Sequence, residues 1–113
     1  DSQATRIEHR VAGADSNPYL AIAALLAGIH MGIEHKLSAP TPISGNAWLE
    51  DDETPPLPSH MGTAISQFST SQAVRDYLSE PFQMAFTAVK TQELVEFETR
   101  VTDFELETYL ASP

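Results

Sequence analysis

The chain has no cysteine and little positive charge: six lysine and arginine side chains stand against sixteen aspartates and glutamates in 113 residues. Without cysteine, disulfides, thiolate metal ligands and a cysteine nucleophile are excluded. The formal net charge of −10 repels the phosphates of nucleic acids and anionic lipids. We therefore expect no nucleic-acid partner. The imbalance lies in the second half, where residues 50–113 carry twelve acidic and three basic side chains.

The sequence also lacks an apolar run long enough for a membrane span. The longest, Tyr19 to Ile33, has 15 residues and is interrupted by His30 and two glycines. A spanning helix takes about 20 apolar residues. No signal peptide, nucleophile-elbow serine or glycine-rich phosphate loop is recognisable in these residues. His30 and His35 are five residues apart, unlike the helical zinc pattern of two histidines four apart. We expect a cytoplasmic protein with no membrane partner.

One charged segment near the start carries most of the chemistry that is present. The run Arg6-Ile7-Glu8-His9-Arg10 predicts one or two short strands within residues 1–12. Successive side chains of a strand point to opposite faces, so Arg6, Glu8 and Arg10 share one face. Glu8 then lies between two guanidinium groups.

Two interpretations of these three residues remain open from the sequence pattern. One is a ladder of surface ion pairs, which stabilises a protein by only ~0–1 kcal/mol. The other is a binding site in which Glu8 offers hard oxygen ligands to Mg²⁺ or Mn²⁺. Arg6 and Arg10 would then offer planar forks to a phosphate or carboxylate. A divalent cation beside anion-binding arginines is the arrangement that phosphoryl transfer requires.

Residues 17–36 predict a helix that is apolar on nearly all sides. Asn17 is a favoured N-cap, and Pro18 suits the first helical position. A helix with almost no polar face is buried, and a chain of this size cannot easily surround one. We therefore expect this helix to be buried within a larger body, of which the 113 residues are one segment. Alone, the segment is expected to expose the helix and to oligomerise through it.

The second half predicts a loop and then helices. Residues 38–58 hold five prolines and an acidic run at 50–53, which we interpret as a solvated loop anchored by Trp48. Residues 60–110 predict a helix near 60–68 and a second near 72–78, capped by Ser69, Thr70 or Ser71. A long helix is predicted to begin after Ser79 and run to about Val101, and a last helix follows Thr102, where Glu105 completes a capping box. The long helix is expected to bury one apolar stripe, formed by Phe82, Phe86, Val89, Leu94, Phe97 and Val101.

The charged segment and the helix after it resemble the C-terminal part of the glutamine synthetase catalytic domain. The similarity runs from Arg6 to Ile29 and includes Val11-Ala12-Gly13-Ala14 and Asn17-Pro18-Tyr19. It continues in Gly45-Asn46-Ala47 and in the last helices, including Val101-Thr102-Asp103-Phe104-Glu105. The resemblance implies that residues 1–113 are a C-terminal segment of an α+β catalytic domain. This segment would be mostly helical, with residues 1–12 as an active-site strand.

The resemblance further implies an ATP-dependent ligase that joins L-glutamate to ammonia or an amine through a γ-glutamyl phosphate. Glu8 would bind one of two divalent metal ions, and Arg10 would be the catalytic residue that contacts glutamate and its phosphorylated γ-carboxylate. Arg6 would contact nucleotide phosphate. Gln3 stands where family members often have a lysine that contacts ATP. The parent is expected to form a homo-oligomeric ring, and the segment alone is expected to be inactive.

The motifs also bear on the acceptor and on an alternative function. Ile7 to Arg10 with Val11 to Ala14 is similar to γ-glutamylputrescine and γ-glutamylpolyamine synthetases. The alternative is a non-catalytic helical interaction or assembly module, which has no need of Glu8 and Arg10 together. Metal binding that depends on Glu8 would separate the two.

Overall fold

The structure is a computed structural model that describes residues 4–42, 44–46 and 56–110. Within these ranges it contains five α-helices: α1 Pro18–Glu34, α2 Met61–Thr70, α3 Gln72–Leu78, α4 Glu80–Glu98 and α5 Asp103–Leu110. The predicted, mostly helical content is thus confirmed for the described residues. The chain divides into two compact units, residues 1–50 and residues 51–113. Gln3, Trp48 and the acidic run at 50–53 lie outside the described residues.

The predicted short strands are not confirmed among the described residues. Residues 5–11 have no regular secondary structure, and no β-strand occurs among the described residues. A strand is stabilised by hydrogen bonds to a neighbouring strand, and the described part of this unit offers none. The α+β class belongs to the proposed parent domain and remains a prediction.

Helix α1 begins where its capping residues predict. The side chain of Asn17 accepts hydrogen bonds from the backbone N–H groups of Tyr19 and Leu20, at 3.0 and 3.3 Å. Pro18 occupies the first turn, where its missing N–H has no intrahelical partner to lose. Both N-terminal signals in the sequence are therefore confirmed.

The end of α1 is a Schellman turn, which stops the helix at Glu34 and not at the predicted Lys36. Lys36 adopts a left-handed backbone conformation with φ of 50°. The N–H of Leu37 donates to the carbonyl of Gly32 at 3.0 Å, and the N–H of Lys36 donates to that of Ile33 at 3.2 Å. This is the paired hydrogen bonding that satisfies the last carbonyls of a helix.

Helix α1 is exposed in this chain, as expected for the segment alone, and its burial within a larger body remains a prediction. None of its residues is buried, and Ile22 and Ile33 are 56% and 74% exposed. An apolar helix is covered only if several neighbours surround it, and the described residues of the first unit contain no second α-helix. No helix in the described ranges combines the length and the apolar character needed to cross a membrane.

In the second unit, α2 and α3 pack against α4. The rings of Phe68 and Phe82 lie 5.0 and 5.6 Å from the ring of Phe86, measured between centroids. Ser71 separates α2 from α3 and caps the latter, because its Oγ accepts a hydrogen bond from the N–H of Val74 at 3.2 Å. This serine was one of the three predicted caps.

Gln83 of α4 is the one residue classed as buried among those described, at 3% exposure. Its side-chain Nε2 donates to the carbonyls of Phe68 and Ser71, at 2.7 and 2.8 Å. Its Oε1 accepts from Nε of Arg75 at 3.3 Å. One amide therefore joins the end of α2, the start of α3 and the first turn of α4.

The predicted apolar stripe of α4 is only partly correct. Phe82, Phe86 and Leu94 are partly buried, whereas Val89 and Phe97 are exposed. The covered face is centred on the polar Gln83, so the stripe drawn from apolar residues alone was rotated away from the true contact face.

Helix α5 begins with the predicted capping box. The backbone N–H and the hydroxyl of Thr102 donate to Oε2 of Glu105, at 2.8 and 2.9 Å. The N–H of Glu105 donates back to the Thr102 hydroxyl at 3.2 Å. The backbone and then the side-chain hydrogen bond from Thr102 lower the pKa of the Glu105 carboxyl below its ordinary value.

The junction between α3 and α4 carries backbone strain at Ser79. Its φ of 77° and ψ of 151° lie in a region that is nearly restricted to glycine. Its hydroxyl accepts a long hydrogen bond, 3.5 Å, from the N–H of Phe82. The strain is thus offset only weakly by the side-chain cap.

Replacing Gln83 tests how much the second unit depends on its amide. We expect Gln83→Ala to lower the free energy of unfolding by about 1–3 kcal/mol, because buried hydrogen bonds are lost. Urea unfolding of the chain, followed by circular dichroism, measures the change. The matched control is Gln92→Ala on the same helix, whose exposed pair with Glu96 contributes only about 0.2–0.5 kcal/mol. Equal effects of the two substitutions would contradict the assignment.

Substitutions at Ser79 test the strain separately from the cap. Ser79→Gly is expected to stabilise the chain by about 1 kcal/mol, because glycine accepts this backbone conformation freely and loses little as a cap. Ser79→Ala keeps the strain and loses the cap, so it is expected to destabilise. The same urea titration compares them, and a stability ranking with alanine above glycine would refute the interpretation.

Candidate functional site

The three charged residues of the N-terminal segment form one ion cluster. Nη2 of Arg6 lies 3.2 Å from Oε2 of Glu8. Nε of Arg10 donates to Oε1 of Glu8 at 2.6 Å, and Nη2 of Arg10 pairs with the same oxygen. Both carboxylate oxygens are therefore engaged. The predicted shared face of Arg6, Glu8 and Arg10 is confirmed, although no strand forms.

The local backbone explains how the cluster is positioned. Residues 5–11 have no regular structure, and side chains two residues apart meet on one side, as they do in extended chains. A turn follows, closed by the N–H of Ser16 donating to the carbonyl of Gly13 at 3.1 Å. A Cβ at Gly13 would lie 2.6 Å from Oδ1 of Asp15, so glycine leaves room for this carboxylate. The turn leads directly to the Asn17 cap of α1.

The cluster is open to solvent and carries a net positive charge. The Glu8 side chain is 44% exposed, and both arginine side chains are more exposed still. Exposed ion pairs of this kind contribute ~0–1 kcal/mol, so stability is a weak reason to place two guanidiniums on one carboxylate. The contacts are those of the ion-pair ladder, while the exposure leaves all three groups accessible to a ligand.

A divalent metal ion would find one suitable ligand here. The carboxylate of Glu8 is a hard oxygen donor of the kind that Mg²⁺ and Mn²⁺ prefer. Within the described ranges no group of three or more histidines, aspartates or glutamates is close enough to hold a metal ion. Glu8 thus fits as a single ligand of a site whose other ligands lie elsewhere. His9, also on this segment, belongs to no such group.

A groove between α2 and α4 is a second place where a ligand could fit. Its volume is about 230 Å³, and it is lined by Met61, Ala64, Ile65, Phe68, Phe86, Thr87 and Lys90. Nζ of Lys90 donates to Glu93 at 2.6 Å and lies 5.6 Å from the centre of the Phe86 ring. The hydroxyl of Thr87 is buried without a hydrogen-bond partner. The sequence pattern did not reveal this groove, which is almost entirely apolar and offers no reacting group.

The chain belongs to the glutamine synthetase catalytic-domain family, which it matches over residues 1–109. It is 39% identical over 105 residues to γ-glutamylputrescine synthetase PuuA of Escherichia coli (strain K12), covering 93% of this chain and 22% of that protein. It is 38% identical over 109 residues to glutamate–isopropylamine ligase of Pseudomonas sp, covering 95% and 24%. Glutamine synthetase of Methanocaldococcus jannaschii is 32% identical over 114 residues, covering 96% and 25%.

The chain thus spans about a quarter of the length of these relatives. No solved structure matches it. The family resemblance expected from the sequence is confirmed by this match, which includes the segment with Arg6, Glu8 and Arg10. The match does not assign a role to any of these three residues.

Proposed function

We propose that this chain is part of an ATP-dependent ligase that joins L-glutamate to ammonia or an amine. The match to the glutamine synthetase catalytic domain over residues 1–109 carries the proposal. The names of the similar proteins support it, since they are a γ-glutamylputrescine synthetase, a glutamate–isopropylamine ligase and a glutamine synthetase.

An organic amine is the acceptor that the comparisons favour. The two relatives named for amines are 39% and 38% identical to the chain, against 32% for the archaeal glutamine synthetase. The form Ile7-Glu8-His9-Arg10 also resembles the family members that use organic amines. We therefore place amine transfer ahead of ammonia transfer.

The proposed reaction has two steps. An oxygen of the glutamate γ-carboxylate attacks the terminal phosphorus of ATP, and ADP leaves. The amine nitrogen then attacks the γ-carbonyl carbon, inorganic phosphate leaves and a proton is lost from nitrogen. Both steps redistribute charge on phosphoryl and carboxyl oxygens, so positioning and charge neutralisation provide most of the catalysis.

Each residue of the ion cluster has a role suited to that chemistry. Arg10 would hold the γ-carboxylate and then its phosphorylated form, because a guanidinium binds planar oxygen pairs with two parallel hydrogen bonds. Arg6 would contact nucleotide phosphate. Glu8 would serve as one ligand of Mg²⁺ or Mn²⁺, which when bound supplies charge neutralisation at the phosphates. The exposure of all three side chains supports access by these ligands.

The exposed α1 supports the proposal of a larger assembly. Its apolar side chains, such as Ile22 and Leu26, are more than half exposed, and a surface of this kind marks an interface. Further protein, including other copies in a homo-oligomeric ring, would cover it. The same exposure is the observation that favours the alternative function, a non-catalytic helical assembly module.

An activity assay on a full-length protein carrying this chain tests the function. We expect phosphate release from ATP that requires both L-glutamate and an acceptor, with putrescine or isopropylamine above ammonia. Arg10→Gln is expected to lower this activity at least about a hundredfold, because one donor to a developing charge is worth that much. Arg100→Gln, outside the proposed site, is the matched control. Acceptor-independent phosphate release, or full activity of Arg10→Gln, would refute the proposal.

Binding of Mn²⁺ to the same protein separates the enzyme from the assembly module. Glu8→Ala is expected to weaken Mn²⁺ binding at least about tenfold, since removing even supporting groups of metal ligands costs that much. Electron paramagnetic resonance of free Mn²⁺ measures the change. Asp15→Ala removes a carboxylate from the same segment that pairs with neither arginine, and it is expected to leave binding unchanged. Unaltered affinity in Glu8→Ala would favour the module.

A further inference from the structure

Glu8 occupies some of the guanidinium donors that an anionic ligand could use. Nε and Nη2 of Arg10 form one edge of the guanidinium, and both contact Oε1 of Glu8. This edge is one of the two forks by which arginine binds a carboxylate with parallel hydrogen bonds. Nη2 of Arg6 is held by the other oxygen, Oε2, at 3.2 Å. A substrate anion that approaches these donors therefore competes with Glu8.

The same contacts occupy the oxygens that a metal ion needs. Both oxygens of Glu8 already have a guanidinium partner, so a cation that binds this carboxylate competes with the arginines for its negative charge and favours release of one of them. The released arginine is then free to bind an anion. Binding of a cation to Glu8 and binding of an anion to Arg6 or Arg10 are therefore coupled.

We propose that Glu8 acts as an internal competitor, which weakens anion binding by Arg6 and Arg10 until a divalent cation occupies its carboxylate. This inference rests on the proposed function, because it takes the anion to be the substrate L-glutamate and the cation to be Mg²⁺. Linkage makes the effect reciprocal: the cation tightens anion binding and the anion tightens cation binding by the same factor. The metal then sets the order of loading.

The size of the effect follows from the exposure of the cluster. Exposed ion pairs of this kind contribute no more than about 1 kcal/mol each. Releasing one pair therefore changes the affinity for an anion by about two- to fivefold. Glu8 therefore lowers the affinity of the site for an anion but does not prevent binding.

Equilibrium dialysis with labelled L-glutamate tests the inference on the full-length protein after removal of metal. Glu8→Gln keeps the shape of the side chain and removes its charge, so it is expected to bind L-glutamate about two- to fivefold more tightly than the wild type. The matched control, Asp15→Asn, removes a neighbouring carboxylate without an arginine partner and is expected to bind like the wild type. Added Mg²⁺ is expected to tighten binding by the wild type more than binding by Glu8→Gln.

The possible outcomes distinguish this inference from the proposed function. Metal-free Glu8→Gln that binds no better than the wild type shows that Glu8 does not compete, and the inference fails while the ligase stands. An equal gain in Asp15→Asn assigns the effect to the general field of the protein and also overturns it. Absence of L-glutamate binding in every form, even with Mg²⁺, contradicts the proposed function and this inference with it.

Discussion

The side-chain amide of Gln83 holds the second unit together, because three helices end or begin within its reach. It donates to the carbonyls of Phe68 and Ser71 and accepts from Arg75. Helix α3 has only seven residues, too few to be stable without tertiary contacts. No hydrophobic residue among those described is fully buried. A polar contact with defined donors and acceptors therefore fixes the arrangement that an apolar core would fix in a larger domain.

The features that the sequence predicted well are those whose chemistry is local. The Asn17 cap, the Ser71 cap and the capping box of Thr102 and Glu105 each join residues two or three positions apart. Gln83 escaped prediction because its backbone partners lie 12 and 15 residues away. A buried glutamine on an otherwise mixed helix face leaves no apolar periodicity to detect. The strands are not confirmed among the described residues, and the burial of α1 within a larger body stays a prediction, because both require neighbours and not only a suitable sequence.

At the candidate site, neither the sequence pattern nor the geometry decides the function by itself. Alternation along an extended chain was enough to bring Arg6, Glu8 and Arg10 together, without a strand. The resulting contacts are the same for an ion-pair ladder and for a substrate site whose ligands are absent, because both place guanidiniums against a carboxylate. Exposure weakens the stability argument, but membership of a ligase family is what favours chemistry. The geometry adds an observation that the family match does not contain: the carboxylate of Glu8 accepts hydrogen bonds from the guanidiniums of both Arg6 and Arg10.

Two features of the first unit have the same explanation in the proposed enzyme, namely contact with further protein. As a metal ligand, Glu8 would have no companions in the described ranges, and α1 is an apolar helix with no buried residue. Residues 9–17 separate them along the chain, which is short enough for one neighbouring surface to reach both. At Gly28 and Gly32 an added Cβ would meet no atom within 4 Å, which leaves space for that surface to approach the helix backbone closely. In the proposed enzyme, both the remaining metal ligands and the cover of α1 would come from protein other than the described residues.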